Sequence, residues 1–479
     1  MSFYRPPGVY PELLPTAGLV SLWRGARIPV IVGRGQYTIA AMEPVVHQEL
    51  HGTDMLSEAA TSITRVGTYP GQSKYAELTD YVVTGTLASP SANISWSPAN
   101  NEPSVGSTYF VTYMKLVSSD QYSFHVYTDE NELVRVHGEE NTTNLVSVGG
   151  VVALRQGCPA VGIVQIDLQH SQAYPSGGPS NPTPEDYYYA FTQALSVLEQ
   201  LDPSQCRIVV PMTVQEDILT DYLSHVDEMS LTYNRRWRTI IRGRAASSSL
   251  GNSTVRDAFV ASSSGYASHE SARRMTVVSP GEVFRVVRNS VTGRMERTLF
   301  DGCVLAAAAA GKICAHFNPA MPITNKTLAS IQIGRVFSNA DMNMMAGSGA
   351  CVFYYKGANL KCRHGLTCDP TNANTQEISV VEIEDWIKVQ SIYVLENRYV
   401  GSLFSEEIAA SIRASVIAFW NQLVNDQVIY EVDSGSVSVT QDPNDPRICN
   451  VFGRVKPMYP LNWIDVRFRF YAGGEPAAI

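Results

Sequence analysis

Two cysteines and one histidine lie close together in the sequence and are residue types that bind zinc. They are Cys362, His364 and Cys368. Thiolates and imidazoles are the usual ligands of zinc, but this spacing matches no standard arrangement of paired ligands. A fourth ligand would have to come from Cys351 or from further away, and Arg363 places a positive charge inside the cluster. We therefore favour a hairpin that carries two thiols over a metal site.

Nucleophilic catalysis would require a serine in a tight turn, usually within Gly-x-Ser-x-Gly. The glycine-serine runs at 347–349 and 264–265 lack that spacing. The sequence also lacks the phosphate-binding loop, the dinucleotide-binding fingerprint and the His-Glu-x-x-His motif. The nine histidines are scattered along the chain. These observations predict that the protein is not an enzyme and needs no cofactor.

Several carboxylates lie near a long amphipathic segment at about 404–425 and could act as paired acids in general acid and base catalysis. They are Glu406, Glu407, Asp426 and Glu431. Glu406 and Glu407 fall in the first turn of the predicted helix, where the helix dipole favours carboxylates whatever the function. We therefore favour a structural interpretation, in which these residues can still form an acidic patch for a basic partner.

The composition is that of an ordinary soluble protein with two to four domains, because 44% of the 479 residues are apolar and 17% are charged. The net charge of −9, with both signs mixed along the chain, argues against a nucleic-acid partner. Residues 1–22 contain four prolines and no continuous apolar stretch, which argues against a signal peptide or membrane anchor. We expect folding in the cytosol with all eight cysteines reduced.

The elements that position these residues change in type along the chain. Residues 1–24 read as an extended, proline-rich arm, and a short buried strand follows at 28–33. Short β-like runs separated by turn residues occupy 78–148. Strands and helices then alternate up to about 281, which indicates an α/β layered domain. An alanine-rich helix at 304–313 should let its neighbours approach closely.

The C-terminal part combines strands with one long helix. We predict strands at 351–355, 360–367 and 378–384, a helix at 404–425, and strands at 429–439 and 451–471. The end of the last strand alternates strictly, with Ile464, Val466, Phe468 and Phe470 on one face. A terminal strand exposes unpaired amides and carbonyls unless another chain pairs with it. Such a strand can bind by adding itself to a neighbour's sheet.

The predicted fold class is mixed α+β and multidomain, with an α/β layered core, an α+β C-terminal domain, a small all-β module and two extended arms that pair with neighbouring subunits. The predicted divisions are an N-terminal arm at 1–24, the start of the core at 25–77, an all-β outer module at 78–148, an α/β domain at 149–345, an inner α+β domain at 346–450 and a C-terminal strand arm at 451–479.

The sequence as a whole resembles the sheath proteins of contractile phage tails and related injection machines. The opening Arg-Pro-Pro-Gly-Val-Tyr-Pro-Glu at 5–12 is similar to the start of that family, and Ile-Pro-Val-Ile-Val-Gly at 28–33 is similar to the buried strand that follows it. Further similarities lie at 94–96, at 103–113, at 365–378 and in the closing strand. The region 306–325 departs from the family pattern, and eight cysteines are more than we expect of a sheath protein.

The resemblance implies a mechanical function. Subunits would stack as six-fold rings around a tail tube, and contraction of this sheath would drive the tube through the host envelope. The implied partners are further copies of the chain, the tail tube protein, and baseplate and tail terminator proteins, with no nucleic acid and no insertion into a membrane. The implied location is the tail sheath of the virion, assembled in the host cytoplasm.

The resemblance also assigns roles to particular residues. Both arms would add strands to the C-terminal domains of neighbours, through Val9 and Tyr10 at one end and Ile464, Val466, Phe468 and Phe470 at the other. The C-terminal domain lies innermost in the family, which makes Glu406, Glu407, Arg413 and Asp426 candidates for contact with the tube.

A chain that functions outside the cell can also oxidise its thiols. We therefore hypothesise that Cys362, Cys368 and Cys449 form disulfides between subunits; the alternative is eight buried free thiols. Two alternatives to the sheath function also stay open. One is another tail structural protein, of the tube or the baseplate, and the other is an enzyme with an α/β hydrolase-like fold.

Overall fold

The computed structural model describes residues 27–462 and residue 464, apart from 36–37, 58–59, 78, 87–88, 98–100, 117–122, 143, 167–182, 231–234, 268–270 and 289–294. The predicted arm at 1–24, with Val9 and Tyr10, lies outside the described residues. The same holds for Val466, Phe468 and Phe470 of the predicted closing strand.

The described strands are β1 (Pro29–Arg34), β2 (Thr38–Val46), β3 (Thr53–Met55), β4 (Ala60–Gly67), β5 (Tyr81–Thr86), β6 (Ser89–Trp96), β7 (Thr108–Leu116), β8 (Phe124–Tyr127), β9 (Val161–Ile166), β10 (Ile208–Pro211), β11 (Thr239–Arg242), β12 (Met275–Ser279), β13 (Val283–Arg288), β14 (Met295–Phe300), β15 (Thr327–Leu328), β16 (Gln332–Ile333), β17 (Ala350–Lys356), β18 (Asn359–Cys362), β19 (Ile429–Gln441) and β20 (Cys449–Pro457). The described helices are α1 (Glu130–His137), α2 (Leu145–Leu154), α3 (Pro184–Gln200), α4 (Glu216–Met229), α5 (Asn252–Tyr266), α6 (Cys303–Cys314), α7 (Asn339–Gly347), α8 (Ile378–Tyr399) and α9 (Glu406–Asn425).

A nine-stranded sheet forms the centre of the molecule, in the order β15-β18-β17-β12-β11-β10-β1-β9-β8. The six strands from β17 to β9 run parallel, whereas β8 and β18 are antiparallel to their neighbours. Ile31 of β1 packs into the hydrophobic cluster on one face, and Val30 and Val32 pack into the cluster on the other. Parallel strands buried on both faces read as continuous apolar runs, which is why β1 was predictable.

Helices cover both faces of this sheet and complete three layers. Helices α2 and α6 contribute to one cluster, and α3, α4, α5 and α7 contribute to the other. The predicted close approach at the alanine-rich helix is confirmed, because a Cβ on Gly311 of α6 would lie 2.5 Å from the carbonyl oxygen of Ala153 in α2. The α/β layered core therefore has the architecture that its sequence pattern predicts.

The β-module occupies different residues from those predicted. Its two sheets, β2-β7-β4 and β3-β6-β5, draw on residues 38–116 and enclose a core of their own. The predicted span of 78–148 was wrong at both ends, since β8 joins the central sheet and α1 and α2 are helices. The error has a physical cause: β2 pairs with β7 along its whole length, and pairing between segments so far apart leaves little local signal.

The C-terminal domain is built from α8, α9 and the hairpin β19-β20 around a third hydrophobic cluster. The predicted strand at 378–384 was wrong, because these residues form the first turns of α8. Ile378, Val380, Val381 and Ile383 are all buried. A helix buried on every side shows no amphipathic period, and its β-branched residues then read as a strand. The predicted helix at 404–425 is confirmed by α9.

Candidate assembly surfaces

The hairpin β19-β20 is a two-stranded sheet that, within the described residues, pairs with no other strand. One face packs on α9, where Ile429 and Val437 are buried in the third cluster. The opposite face carries Tyr430 and Phe452, with 58% and 63% of their surface exposed. Free strand edges beside exposed aromatic side chains are a template for pairing with another chain.

Arg413 of α9 holds this hairpin in place. Its Nε donates to the carbonyl oxygen of Val437 at 2.7 Å, and its Nη2 donates to that of Ser434 at 3.0 Å. These carbonyls lie in a bulge of β19, where four residues between Asp433 and Ser438 face the single residue Gly453 of β20. In this subunit, Arg413 therefore supports the candidate pairing site, and its predicted contact with the tube stays a prediction.

The other predicted tube-contact residues lie at opposite ends of α9. Glu406 and Glu407 are exposed in its first turn, and a hydrogen bond from the capping Ser405 lowers the pKa of Glu407. Asp426 follows the last turn, roughly 30 Å away at 1.5 Å per residue, and Asn318 donates to its carbonyl oxygen at 3.3 Å. The four residues do not form one patch, and no contact with a tube can be read from their positions.

The C-terminal segment makes hydrogen bonds to its own subunit as far as Asn462. The amide Nδ2 of Asn462 donates to Oε1 of Glu377 at 2.7 Å and lies 3.1 Å from Nε2 of His364, which also contacts Glu377. The Tyr459 hydroxyl donates to Asn374. Ile464 is then 76% exposed and not part of a strand. The predicted arm at 451–479 is therefore too long at its start, because β20 lies within its own domain.

The N-terminal end of the described chain is also held by side-chain hydrogen bonds within its own subunit. Arg27 is buried, and its Nη2 donates to Oε2 of Glu382 at 2.6 Å. Its Nη1 donates to the carbonyl oxygens of Ile313 and His316 at 3.2 and 3.3 Å. Glu377 immediately precedes α8 and Glu382 lies in its second turn, roughly 8 Å further along the axis. Arg27 and Asn462, near the two ends of the described part of the chain, thus both contact glutamates at the start of α8.

A buried ionic cluster surrounds this point. Arg207 donates to Oε2 of Glu382 at 3.1 Å and lies 3.2 Å from Asp385, to which Arg274 donates at 2.8 Å. Burial alone would raise the pKa of Asp385, but Arg274 and Arg207 hold it below its ordinary value. The cluster joins the central sheet to α8, and α8 also packs Ile383 and Trp386 into the C-terminal cluster.

Sequence reasoning missed this cluster, although the sequence contains a signal for it. An arginine stands at or near the start of four of the parallel strands: Arg27 before β1, Arg207 before β10, Arg238 before β11 and Arg274 before β12. Parallel strands begin at the same edge of a sheet, so these side chains lie in one row. Arg238 donates to the carbonyl oxygens of Leu198 and Leu201 at 2.8 and 2.9 Å, and the other three reach α8.

The cysteine hypothesis fails for two of its three residues. Cys362 and Cys368 are fully buried, and burial raises the pKa of Cys368 to about 12. The sulfur of Cys362 lies 3.5 Å from that of Cys351 in the same subunit. A bridge to a neighbour would require exposed sulfur atoms, so Cys449, which is half-buried on β20, stays the one candidate.

The described part of the chain contains neither a metal-binding cluster nor a membrane-spanning helix. No three or more His, Cys, Asp or Glu residues come together there in a way that could hold a metal ion, and Cys362, His364 and Cys368 are no exception. In the same residues, no helix is both long enough and apolar enough to cross a bilayer.

Known proteins resemble this chain in sequence and in fold. A family model described as a domain of unknown function (DUF4815) matches residues 28–146. The tail sheath protein of Mycobacterium phage Bxz1 is 28% identical over 174 residues, which are 36% of this chain and 29% of that protein. The chain therefore matches less than a third of the length of this relative.

Two solved structures share the fold at 10% sequence identity. The contracted helical sheath of the anti-feeding prophage aligns over 98% of this chain and 99% of its own, with a TM-score of 0.56. The contracted sheath complex of the extracellular contractile injection system PVC aligns over 74% and 89%, with a TM-score of 0.53. The resemblance that the sequence indicates is confirmed by these matches.

Proposed function

We propose that this chain, which has the fold of contractile sheath proteins, is the structural subunit of a contractile tail sheath. Subunits polymerise as stacked hexameric rings around a tail tube, and contraction drives the tube through the envelope of the host. The observation that carries the proposal is the hairpin β19-β20, whose edges are free within the described residues. A sheet of two strands is marginal by itself, and further strands would stabilise it.

Neighbouring subunits supply those strands. The residues before Arg27 and after Asn462 extend to adjacent copies, where Val9 and Tyr10 from one end, and Ile464, Val466, Phe468 and Phe470 from the other, pair with the free edges of a hairpin. Each main-chain hydrogen bond contributes about 0.5–1.5 kcal/mol net. Several such bonds, together with burial of the apolar face of the terminal strand, hold each subunit to its neighbours.

The ionic cluster keeps each subunit rigid while it moves. Arg27, Arg207 and Arg274 hold α8 against the central sheet, so the core and the C-terminal domain turn together. Rearrangement is then confined to the segments outside Arg27 and Asn462. The extended sheath is a trapped arrangement of higher free energy, and contraction lets subunit surfaces repack without a catalytic step. The tube, baseplate and terminator proteins are the further partners, and the assembled sheath belongs to the virion after assembly in the host cytoplasm.

Truncation tests this function directly. The purified full chain should form hollow cylinders in negative-stain electron microscopy. Variants that lack residues 1–24 or 463–479 should keep their circular dichroism spectrum and remain unpolymerised, because the neighbours' hairpins lose their added strands. Cylinders that persist without both segments would contradict strand exchange, and a full chain that stays monomeric under all conditions would contradict the sheath function.

A further inference from the structure

The hairpin β13-β14 presents an exposed apolar face that also carries arginines. Paired residues of an antiparallel sheet share a face, and the pairs here are Phe284 with Leu299, Val286 with Arg297, and Arg288 with Met295. We call these six residues the basic face. Met295 is 65% exposed and Val286 is 56% exposed. An apolar patch of this kind on a soluble domain indicates a contact surface.

The charge of the basic face is positive. The guanidinium of Arg297 lies 3.8 Å from the centre of the Phe284 ring, and no carboxylate pairs with it among the described residues. Arg288 pairs with Glu139 at the rim, where both side chains are about half exposed. Arg297 therefore lies over an aromatic ring, and its charge is available to a partner that binds the basic face.

A second exposed surface of the same chain has the opposite charge. The turn between α8 and α9 and the first turn of α9 carry Val400, Leu403, Phe404, Glu406 and Glu407, which we call the acidic corner. Leu403 is 90% exposed and Val400 is 77% exposed. Within the described residues, neither glutamate has a cationic partner, so both charges are free to meet a basic surface.

We propose that the acidic corner of one subunit docks on the basic face of a second copy of this chain. This inference rests on the proposed sheath function and names one of its contacts. The two surfaces differ, and both are exposed among the described residues of one subunit, so the contact joins copies head to tail. Heterologous contacts of this kind propagate into rings or helical polymers. Leu403 and Phe404 pack on Val286, Met295 and Leu299, and Glu406 and Glu407 approach Arg297.

The expected strength of this contact suits a polymer that rearranges. An exposed ion pair contributes about 0.2–1 kcal/mol and is screened by salt. One contact is therefore weak, but its repetition in every subunit makes a polymer sensitive to it. A contact that separates at low cost can also be exchanged when subunits change position.

Charge reversal tests the contact in the full chain. We would measure the fraction of protein that sediments as polymer at about 0.1 M salt, where charges further apart than roughly 10 Å are screened. The variants are R297E, the pair E406K with E407K, and the combination of all three. Leu403→Ser removes the most exposed apolar side chain of the acidic corner, which belongs to no hydrophobic cluster. Glu49→Lys, at an exposed position of the β-module, is the control for altered net charge.

The proposal predicts at least a threefold loss of sedimenting polymer for R297E, for the glutamate pair and for L403S, with unchanged melting temperatures. The combined charge variant should recover most of the loss, and the Glu49→Lys control should behave like the parent. If the parent polymerises and the reversals match the control, or the combined variant is worse than either part, this contact is wrong and the sheath function stands. If the parent itself never polymerises, both the sheath function and this contact are contradicted.

Discussion

Arg27, the first described residue, and Glu382 form a buried ion pair, 2.6 Å between Nη2 and Oε2, just before β1 begins. The same carboxylate also pairs with Arg207. One glutamate of α8 therefore binds the arginine that precedes β1 and the arginine that precedes β10. Asn462, near the C-terminal end of the described residues, donates a hydrogen bond to Glu377 at the start of the same helix. The start of α8 therefore binds residues from both ends of the described part of the chain.

Removing Arg27 should destabilise the subunit. Arg27→Met leaves Glu382 with one buried partner instead of two, and breaking a buried ion pair costs about 3–5 kcal/mol, with the lower end expected here because Arg207 remains. Arg235→Met is the matched control, since Arg235 pairs with Glu396 where both side chains are about half exposed. Thermal unfolding of both variants measures the difference, and equal melting temperatures would show that the cluster adds no stability.

Gly453 should not tolerate a side chain. A Cβ there would lie 2.5 Å from Cζ3 and 2.8 Å from Cη2 of Trp420, whose indole packs beneath the hairpin. We expect Gly453→Ala to lower the free energy of unfolding by about 1–3 kcal/mol, the usual range for overpacking. Gly435→Ala in the same hairpin is the control, because its nearest neighbour would be 3.5 Å away. Similar unfolding curves for the two variants would show that Trp420 does not pack on Gly453 as described.

Mild acid should weaken the subunit through two buried histidines. Burial, and then the charge of Arg238, lowers the pKa of His225 to about 3, and burial lowers the pKa of His137 to about 4. In the unfolded chain a histidine titrates near 6.5, so between pH 6.5 and these values the unfolded state binds more protons. Stability is therefore full above pH 6.5 and falls below it, by about 2 kcal/mol per histidine at pH 5.

The variant His225→Gln isolates one of these groups. Glutamine stays neutral and can still accept a hydrogen bond from Arg238, which lies 3.3 Å from Nε2 of His225. Denaturant unfolding at pH 7 and pH 5 should show that the variant loses about half as much stability as the parent does. An equal loss in both proteins would show that His225 is accessible to protons in the folded state.

The sequence predicts elements well where their residues contact near neighbours. The strand predicted at 28–33 differs from β1 by one residue at each end, and the helix predicted at 404–425 differs from α9 only in starting two residues later. The prediction fails where tertiary contacts decide which secondary structure forms. The first turns of α8 read as a strand because Glu382 and Asp385, which look polar, are buried against arginines. Helix α5, with four serines among its fifteen residues, gave no apolar period and was not predicted.

The sequence predicts a type of site, strand pairing between subunits, but not the residues that would receive the added strands. Alternation in the last segment indicated strand pairing between subunits, and that prediction concerns residues outside the described part of the chain apart from Ile464. The receiving sheet could not be derived from the sequence, because the edges of β19 and β20 become recognisable as free only after their own pairing is known. Arg413 illustrates the limit: the family resemblance made it a candidate for contact with the tube, which stays a prediction, but nothing in the sequence indicated that its guanidinium binds the backbone of β19.

The most direct test of the account is a cryo-electron microscopy structure of the assembled polymer. We predict that β19 and β20 gain strands contributed by adjacent subunits, with Val466, Phe468 and Phe470 packed on a neighbouring copy. A map in which residues 463–471 pair with strands of their own subunit, and the first 24 residues also stay within it, would contradict the central claim.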